Sequence, residues 1–131
     1  MAFRCVVVTP EQQMLDESVT QAIVPTWNGL IGILTNRAPL LVKLGLGPLR
    51  IDVAGGQRRT FLLDGGVAQM KDNRLTILTN EATPAEDLSA DAARAELAQA
   101  EATPAADPKS RQQRTHQIAH ARMKEHLAQT R

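Results

Sequence analysis

From residue 49 to residue 53 the chain alternates, with Leu49, Ile51 and Val53 on one side and Arg50 and Asp52 on the other. That is the period of a half-buried β-strand. Gly55-Gly56 then offers a tight turn, and Arg59-Thr-Phe-Leu-Leu63 reads as the returning strand of a hairpin. Asp64-Gly65-Gly66 is a further turn or bulge, and Val67–Met70 and Leu75–Thr79 flank a Lys71-Asp-Asn-Arg74 turn. Upstream, Arg4–Val8, Gln13–Leu15, Gln21–Val24 and Leu40–Lys43 are strand-sized and bounded by proline, glycine or acidic turns. Breaks at this spacing predict a β-sandwich or flattened barrel of about ten short strands.

One segment resists that pattern. Gly29-Leu-Ile-Gly-Ile-Leu-Thr-Asn-Arg-Ala-Pro-Leu-Leu41 is apolar enough for a buried strand, yet two glycines and a proline interrupt it. It reads as a backbone-permissive loop beside the single tryptophan, Trp27. A tryptophan followed by Asn28 and Gly29 sits in a turn, which favours an exposed contact residue over a core filler.

After Thr83-Pro84 the period changes. Residues 85–106 hold ten alanines, and alanine is the strongest helix former. Asp87 or Ser89 is a candidate cap, and Thr103-Pro104 ends the run. Asp107-Pro108 then supplies a cap and a first-turn proline for a second helix over about 108–129. A short connection makes the pair an antiparallel hairpin. The expected class is therefore α+β: a β-sandwich over 1–84, then a helical hairpin over 85–131. Large apolar residues in the hairpin are few, namely Leu88, Leu97, Ile118, Met123 and Leu127. A mobile, regulatory element is expected there.

Composition narrows the function. The chain has 131 residues, 43% hydrophobic but 2% aromatic, so its core must be aliphatic. Its start has no charged leader ahead of a long apolar segment, and no apolar run is long enough for a membrane span. A net charge of +1 without aromatic platforms argues against nucleic-acid binding. The charge is segregated, however. Residues 86–107 carry six acidic side chains against Arg94, a net of −5, and residues 109–131 carry six basic ones against Glu125, a net of +5.

Catalytic constellations are hard to find. His116 and His120 stand four apart, as two zinc ligands would, but no third ligand approaches in sequence. Cys5 among valines reads as a small buried hydrophobe. No acid–base pair, phosphate loop or triad is apparent, which argues against an enzyme acting alone. The apolar residues of the second helix form no broad stripe, since Ile118 and Ala121 point away from Met123 and Leu127. That argues against membrane insertion.

The motif Gly29-x-x-Gly32-Ile-Leu34-x-x-Arg37-Ala-Pro-Leu-Leu41 resembles the signature Gly-x-x-Gly-Ile-Leu-x-x-His-Ala-Pro-Leu-Leu of the epsilon subunits of F-type rotary ATP synthases. "VVVTPEQQML" (6–15), "AIVP" (22–25), "GPLRI" (47–51), "LDGGVAQM" (63–70) and "LTILTNEA" (75–82) agree in order. The resemblance covers essentially the whole chain.

It implies a non-catalytic central-stalk subunit that couples the gamma shaft to the membrane rotor ring of c subunits. Trp27, Asn28, Gly29 and Leu30 fall where the family touches the ring, and Arg37, Ala38, Pro39 and Leu40 where it touches the shaft. The family usually has histidine at the place of Arg37 and often an acidic residue at that of Leu30. The second helix, when extended, would meet the alpha and beta catalytic subunits and block ATP hydrolysis, with Arg111, Arg122 and Lys124 as contacts. Some relatives bind ATP through Ile/Leu-Asp-x-x-Arg-Ala. Here Asp91, Arg94 and Ala95 remain, with Ala90 in the first place. That leaves ATP as a candidate regulatory ligand and an ATP-sensing module as the alternative function. The implied location is peripheral, on the cytoplasmic face of a bacterial plasma membrane, with the stromal face of a thylakoid as the other choice.

Overall fold

A computed structural model describes residues 2–130 and divides the chain into two compact units, one ending at Pro84 and one beginning at Ala85. The first holds nine strands among the described residues: β1 (Phe3–Val8), β2 (Gln13–Thr26), β3 (Gly29–Ile33), β4 (Leu40–Lys43), β5 (Leu46–Val53), β6 (Arg58–Asp64), β7 (Val67–Lys71), β8 (Arg74–Leu78) and β9 (Ala82–Pro84). They run β4-β7-β8-β1-β2-β5-β6-β9, with β3 added on β2. Every neighbouring pair is antiparallel except β1 with β8.

β2 joins the two layers. Its first half pairs with β1 and its second half with β3, while β5 takes the opposite edge between Val19 and Ile23. The acidic stretch Asp16-Glu17-Ser18 was expected to break this region into two strands. It does not, because Asp16 faces outward and pairs with Arg4 of the adjacent strand. A bulge instead falls at Thr20, where the register with β5 shifts. An extra residue there changes which face the later side chains take, so Leu15 and Val19 point inward before it and Ala22 and Val24 after it.

The segment read as a loop after Trp27 also corrects in part. Gly29–Ile33 is a strand on the edge of β2, and the irregular part is confined to residues 34–39. Its backbone bonds to β2 outweigh the two glycines, a local propensity overridden by pairing.

The core is aliphatic, as composition required. Cys5, Val7, Val19, Val24, Leu49, Ile51, Phe61, Leu63, Leu75 and Ile77 are fully or almost fully buried. The edges curl together: Trp27 N donates to the Lys43 carbonyl at 3.1 Å, and Leu44 N to the Gly66 carbonyl at 2.8 Å. Gly66 is obligatory, since its φ is +112° and a Cβ would meet the Leu78 carbonyl oxygen at 2.0 Å.

The second unit is a 3-10 turn at Ala85–Asp87 and two helices, α1 (Ala90–Ala102) and α2 (Pro108–Thr130). Both expected caps form. The Ser89 hydroxyl accepts from Ala92 N at 3.3 Å, and the Asp107 carboxylate from Ser110 N at 2.7 Å. Ala90, Ala93, Leu97 and Ala100 repeat at helical spacing as the covered stripe of α1. Ala121 and Leu127 are both buried on α2, so these two are not split between a covered and an open side as the sequence suggested.

Candidate functional site

The tip of the β2–β3 hairpin gathers the four residues expected to touch a ring. Thr26 pairs with Gly29, which leaves Trp27-Asn28 as a two-residue connection. Gly29 has φ +143°, and nothing lies near the position its Cβ would take. The Thr26 hydroxyl lies 2.9 Å from Asn28 Oδ1 and 2.8 Å from the Gly29 carbonyl, which fixes the turn from within. Trp27 is 68% exposed and Leu30 62%. This apolar area stands in water on a short, hydrogen-bonded turn and takes no part in the core.

Residues 37–40, expected to touch a shaft, stand at the other end of β4. Arg37, Ala38 and Pro39 are exposed, whereas Leu40 is half-buried and packs on the core. The two sets are thus separated by β4 itself, about 10 Å of strand.

Between them lies a feature that sequence reading missed. Leu41 is 71% exposed, Leu78 49% and Val67 40%. Val67 is directly opposite Leu78 on one side and Lys43 on the other, and Leu41 is the diagonal neighbour of Val67. The three make an apolar patch on the outer face of β4, β7 and β8. A signal existed: Ala68 and Met70, and Leu75 and Ile77, take the inward positions of their strands, so Val67 and Leu78 fall on the solvent side.

In the hairpin, Arg94 joins Asp91 to α2. Its guanidinium donates to Asp91 Oδ1 at 3.1 Å and to Glu125 Oε1 at 3.3 Å. A nucleotide phosphate at Arg94 would compete with both carboxylates. Lys124 pairs with Glu96 at 3.2 Å, so this candidate inhibitory contact is engaged within the hairpin. Arg111 and Arg122 are exposed. Arg114, not singled out from sequence, closes the far end: its guanidinium donates to the Ala100 carbonyl at 3.2 Å and to the Glu101 carbonyl at 2.7 Å. Those carbonyls belong to the last turn of α1, where the Ala100 carbonyl also accepts from Thr103 N at 3.3 Å.

Cys5 and Asp107 have surroundings that fit structural roles. Burial first, and Asp16 second, push the Cys5 thiol up to about 12, so the reactive thiolate is suppressed. The Ser110 amide and hydroxyl hold the Asp107 carboxyl below its usual range. His116 and His120 have ring centroids 6.3 Å apart on α2. No described helix is long and apolar enough to cross a membrane.

Comparison with known proteins places this architecture. Residues 2–85 match the family model of the ATP synthase delta/epsilon chain β-sandwich domain. The chain is 38% identical to the ATP synthase epsilon chain of Rhodopirellula baltica over 122 residues, which is 93% of this chain and 94% of that one. It is also 38% identical to the chloroplastic ATP synthase epsilon chain of Nephroselmis olivacea over 93 residues, 71% of this chain and 69% of the relative. A solved structure of the Euglena gracilis mitochondrial ATP synthase, comprising OSCP, F1 and c-ring, contains a chain of the same fold. Its TM-score is 0.87 at 23% identity, covering 95% of this chain and 80% of that one. With the sandwich matched throughout and a relative aligned over nearly its full length, the chain belongs to the ATP synthase epsilon-chain family.

Proposed function

We propose that this epsilon chain is a non-catalytic central-stalk subunit that couples the gamma shaft to the c-subunit ring of a proton-translocating ATP synthase. The observation that carries the reading is the exposed apolar surface on a rigid sandwich: Trp27 and Leu30 at one tip, Leu41, Val67 and Leu78 on the adjoining face. Burial of such a surface against a partner is favourable, and leaving it in water is not. The tip through Trp27, Asn28, Gly29 and Leu30 meets the ring. Arg37, Ala38, Pro39 and Leu40, with the apolar patch beside them, meet gamma. The chain works peripherally, at the cytoplasmic face of the membrane in a bacterial cell.

The hairpin is the regulatory part. Closed, it pairs its −5 and +5 segments with each other. Opened, α2 presents Arg111, Arg122 and Lys124 to acidic surfaces of the alpha and beta subunits and restrains ATP hydrolysis. The second reading, ATP held by Asp91 and Arg94, requires a phosphate to displace Asp91 and Glu125 from the Arg94 guanidinium. Isothermal titration decides it, since no heat at millimolar ATP removes nucleotide from the account.

The test of the main reading is reconstitution in proton-tight vesicles. Trp27→Ala should lower proton-driven ATP synthesis while the sandwich melts as before. Unchanged synthesis in a complex that retains the variant would overturn the ring assignment.

A further inference from the structure

Residues 34–39 leave β3 and enter β4 with little regular backbone pairing, yet they must present Arg37 and its neighbours in one geometry. Two side-chain bonds hold them. Asn36 N donates to Asn73 Oδ1 at 2.7 Å, and Asn73 Nδ2 donates to Asn36 Oδ1 at 3.0 Å. Asn36 has φ +66°, a left-handed conformation that asparagine tolerates better than most residues. The bonds also offset a local cost, because Thr35 Oγ1 is buried without a hydrogen-bond partner.

Asn73 lies 37 residues away, in the two-residue turn between β7 and β8. Asp72 and Asn73 have φ +54° and +57°, the backbone of a type I′ hairpin. The Asn73 carbonyl accepts from Arg4 N at 3.0 Å. One residue therefore turns the β7–β8 hairpin, anchors the start of β1 and holds the loop through its side chain.

We propose that Asn73 is the positioning residue of the Arg37–Leu40 contact loop: its amide fixes Asn36 in place and so presents the loop to gamma. The inference rests on the reading of that loop as the shaft contact. A residue needed for the turn alone gives a different expectation, and the two separate cleanly. Glycine at 73 keeps, and improves, the positive-φ turn, since Asp-Gly is a preferred type I′ pair. It deletes both bonds to Asn36. Aspartate at 73 keeps the acceptor for Asn36 N, and the Asn36 amide can rotate to donate to its second oxygen.

Purified full-length chains should be compared for binding to isolated gamma subunit and for thermal melting. Asn73→Gly should weaken gamma binding about five- to tenfold, the loss of two exposed hydrogen bonds and of loop order. Its melting temperature should stay equal or rise, and the Asn36 amide should exchange faster with solvent. Asn73→Asp should bind within about twofold of the parent chain. Arg37→Glu probes the loop itself. If it weakens binding while Asn73→Gly does not, the positioning role is overturned and the contact stands. If Asn73→Gly and Asn73→Asp weaken binding equally and both melt lower, the role is structural and the inference again fails. If Arg37→Glu changes nothing, the contact reading fails and takes the positioning role with it.

Discussion

The two units of this chain are held together by different physics. Inward positions of the sandwich carry valine, leucine, isoleucine and phenylalanine at or near zero exposure. The covered stripe of α1 is alanine at three of four places, Ala90, Ala93 and Ala100. Alanine favours the helix and lets two helices approach, but it removes little apolar area from water. What the hairpin lacks in area it recovers with polar contacts between helices: Arg94 to Glu125, Lys124 to Glu96, and Arg114 on the end of α1. A body made of area resists local opening, whereas one closed by a few directional contacts can be released by a partner that replaces them.

The strongest way to sharpen that contrast is to empty each core in turn. Phe61→Ala should cost the sandwich about 3–5 kcal/mol in denaturant unfolding, the range for truncating a buried aromatic. Leu97→Ala, on a half-buried position of α1, should cost about 1–2 kcal/mol. Its effect should show in hydrogen exchange of the helices and leave the strands protected as before. Equal loss of protection in both units would mean that they open together.

The polar contacts come next. Arg114→Ala removes a charged donor from two carbonyls and should destabilise the closed hairpin by about 1.5 kcal/mol, read as faster exchange in residues 98–103. Glu125→Gln should cost under about 1 kcal/mol, because Arg94 is half exposed and such pairs are screened. Its effect should vanish in concentrated salt, and persistence there would point to packing instead.

The smallest expected effect is a pH dependence at the start of α2. Hydrogen bonds from Ser110 lower the Asp107 pKa, so the cap contributes stability above the unfolded carboxyl value. That contribution is lost as pH falls through the lowered folded value. Protection at residues 109–112, measured relative to intrinsic exchange at each pH, should therefore fall in acid, and Asp107→Asn should abolish the change while keeping a cap. Protection independent of pH in the parent chain would exclude Asp107 as the cap that matters.

Much of this contrast was legible in residue order. Strand-sized runs between turns located β1, β4, β5, β6, β7, β8 and both halves of β2, Ser89 and Asp107 located both helix starts, and Trp27 beside Asn28-Gly29 located an exposed turn. What escaped depended on partners distant in sequence. Asp16-Glu17-Ser18 looked like a turn until Arg4 was found opposite, and Gly29–Ile33 looked like a loop until β2 lay beside it. The patch of Leu41, Val67 and Leu78 exists only once the register of three strands is fixed. Arg114 and Asn73 escaped for the same reason, since each acts on backbone or side-chain atoms well removed along the chain.

The most direct test is the affinity of the full chain for gamma, measured for Leu78→Asp and Arg114→Ala side by side. A charge placed in the apolar face should weaken binding by about tenfold or more, and an unlatched hairpin should leave it within about twofold of the parent. Binding that survives Leu78→Asp but collapses with Arg114→Ala would show that the hairpin, not the sandwich, holds this chain to the motor.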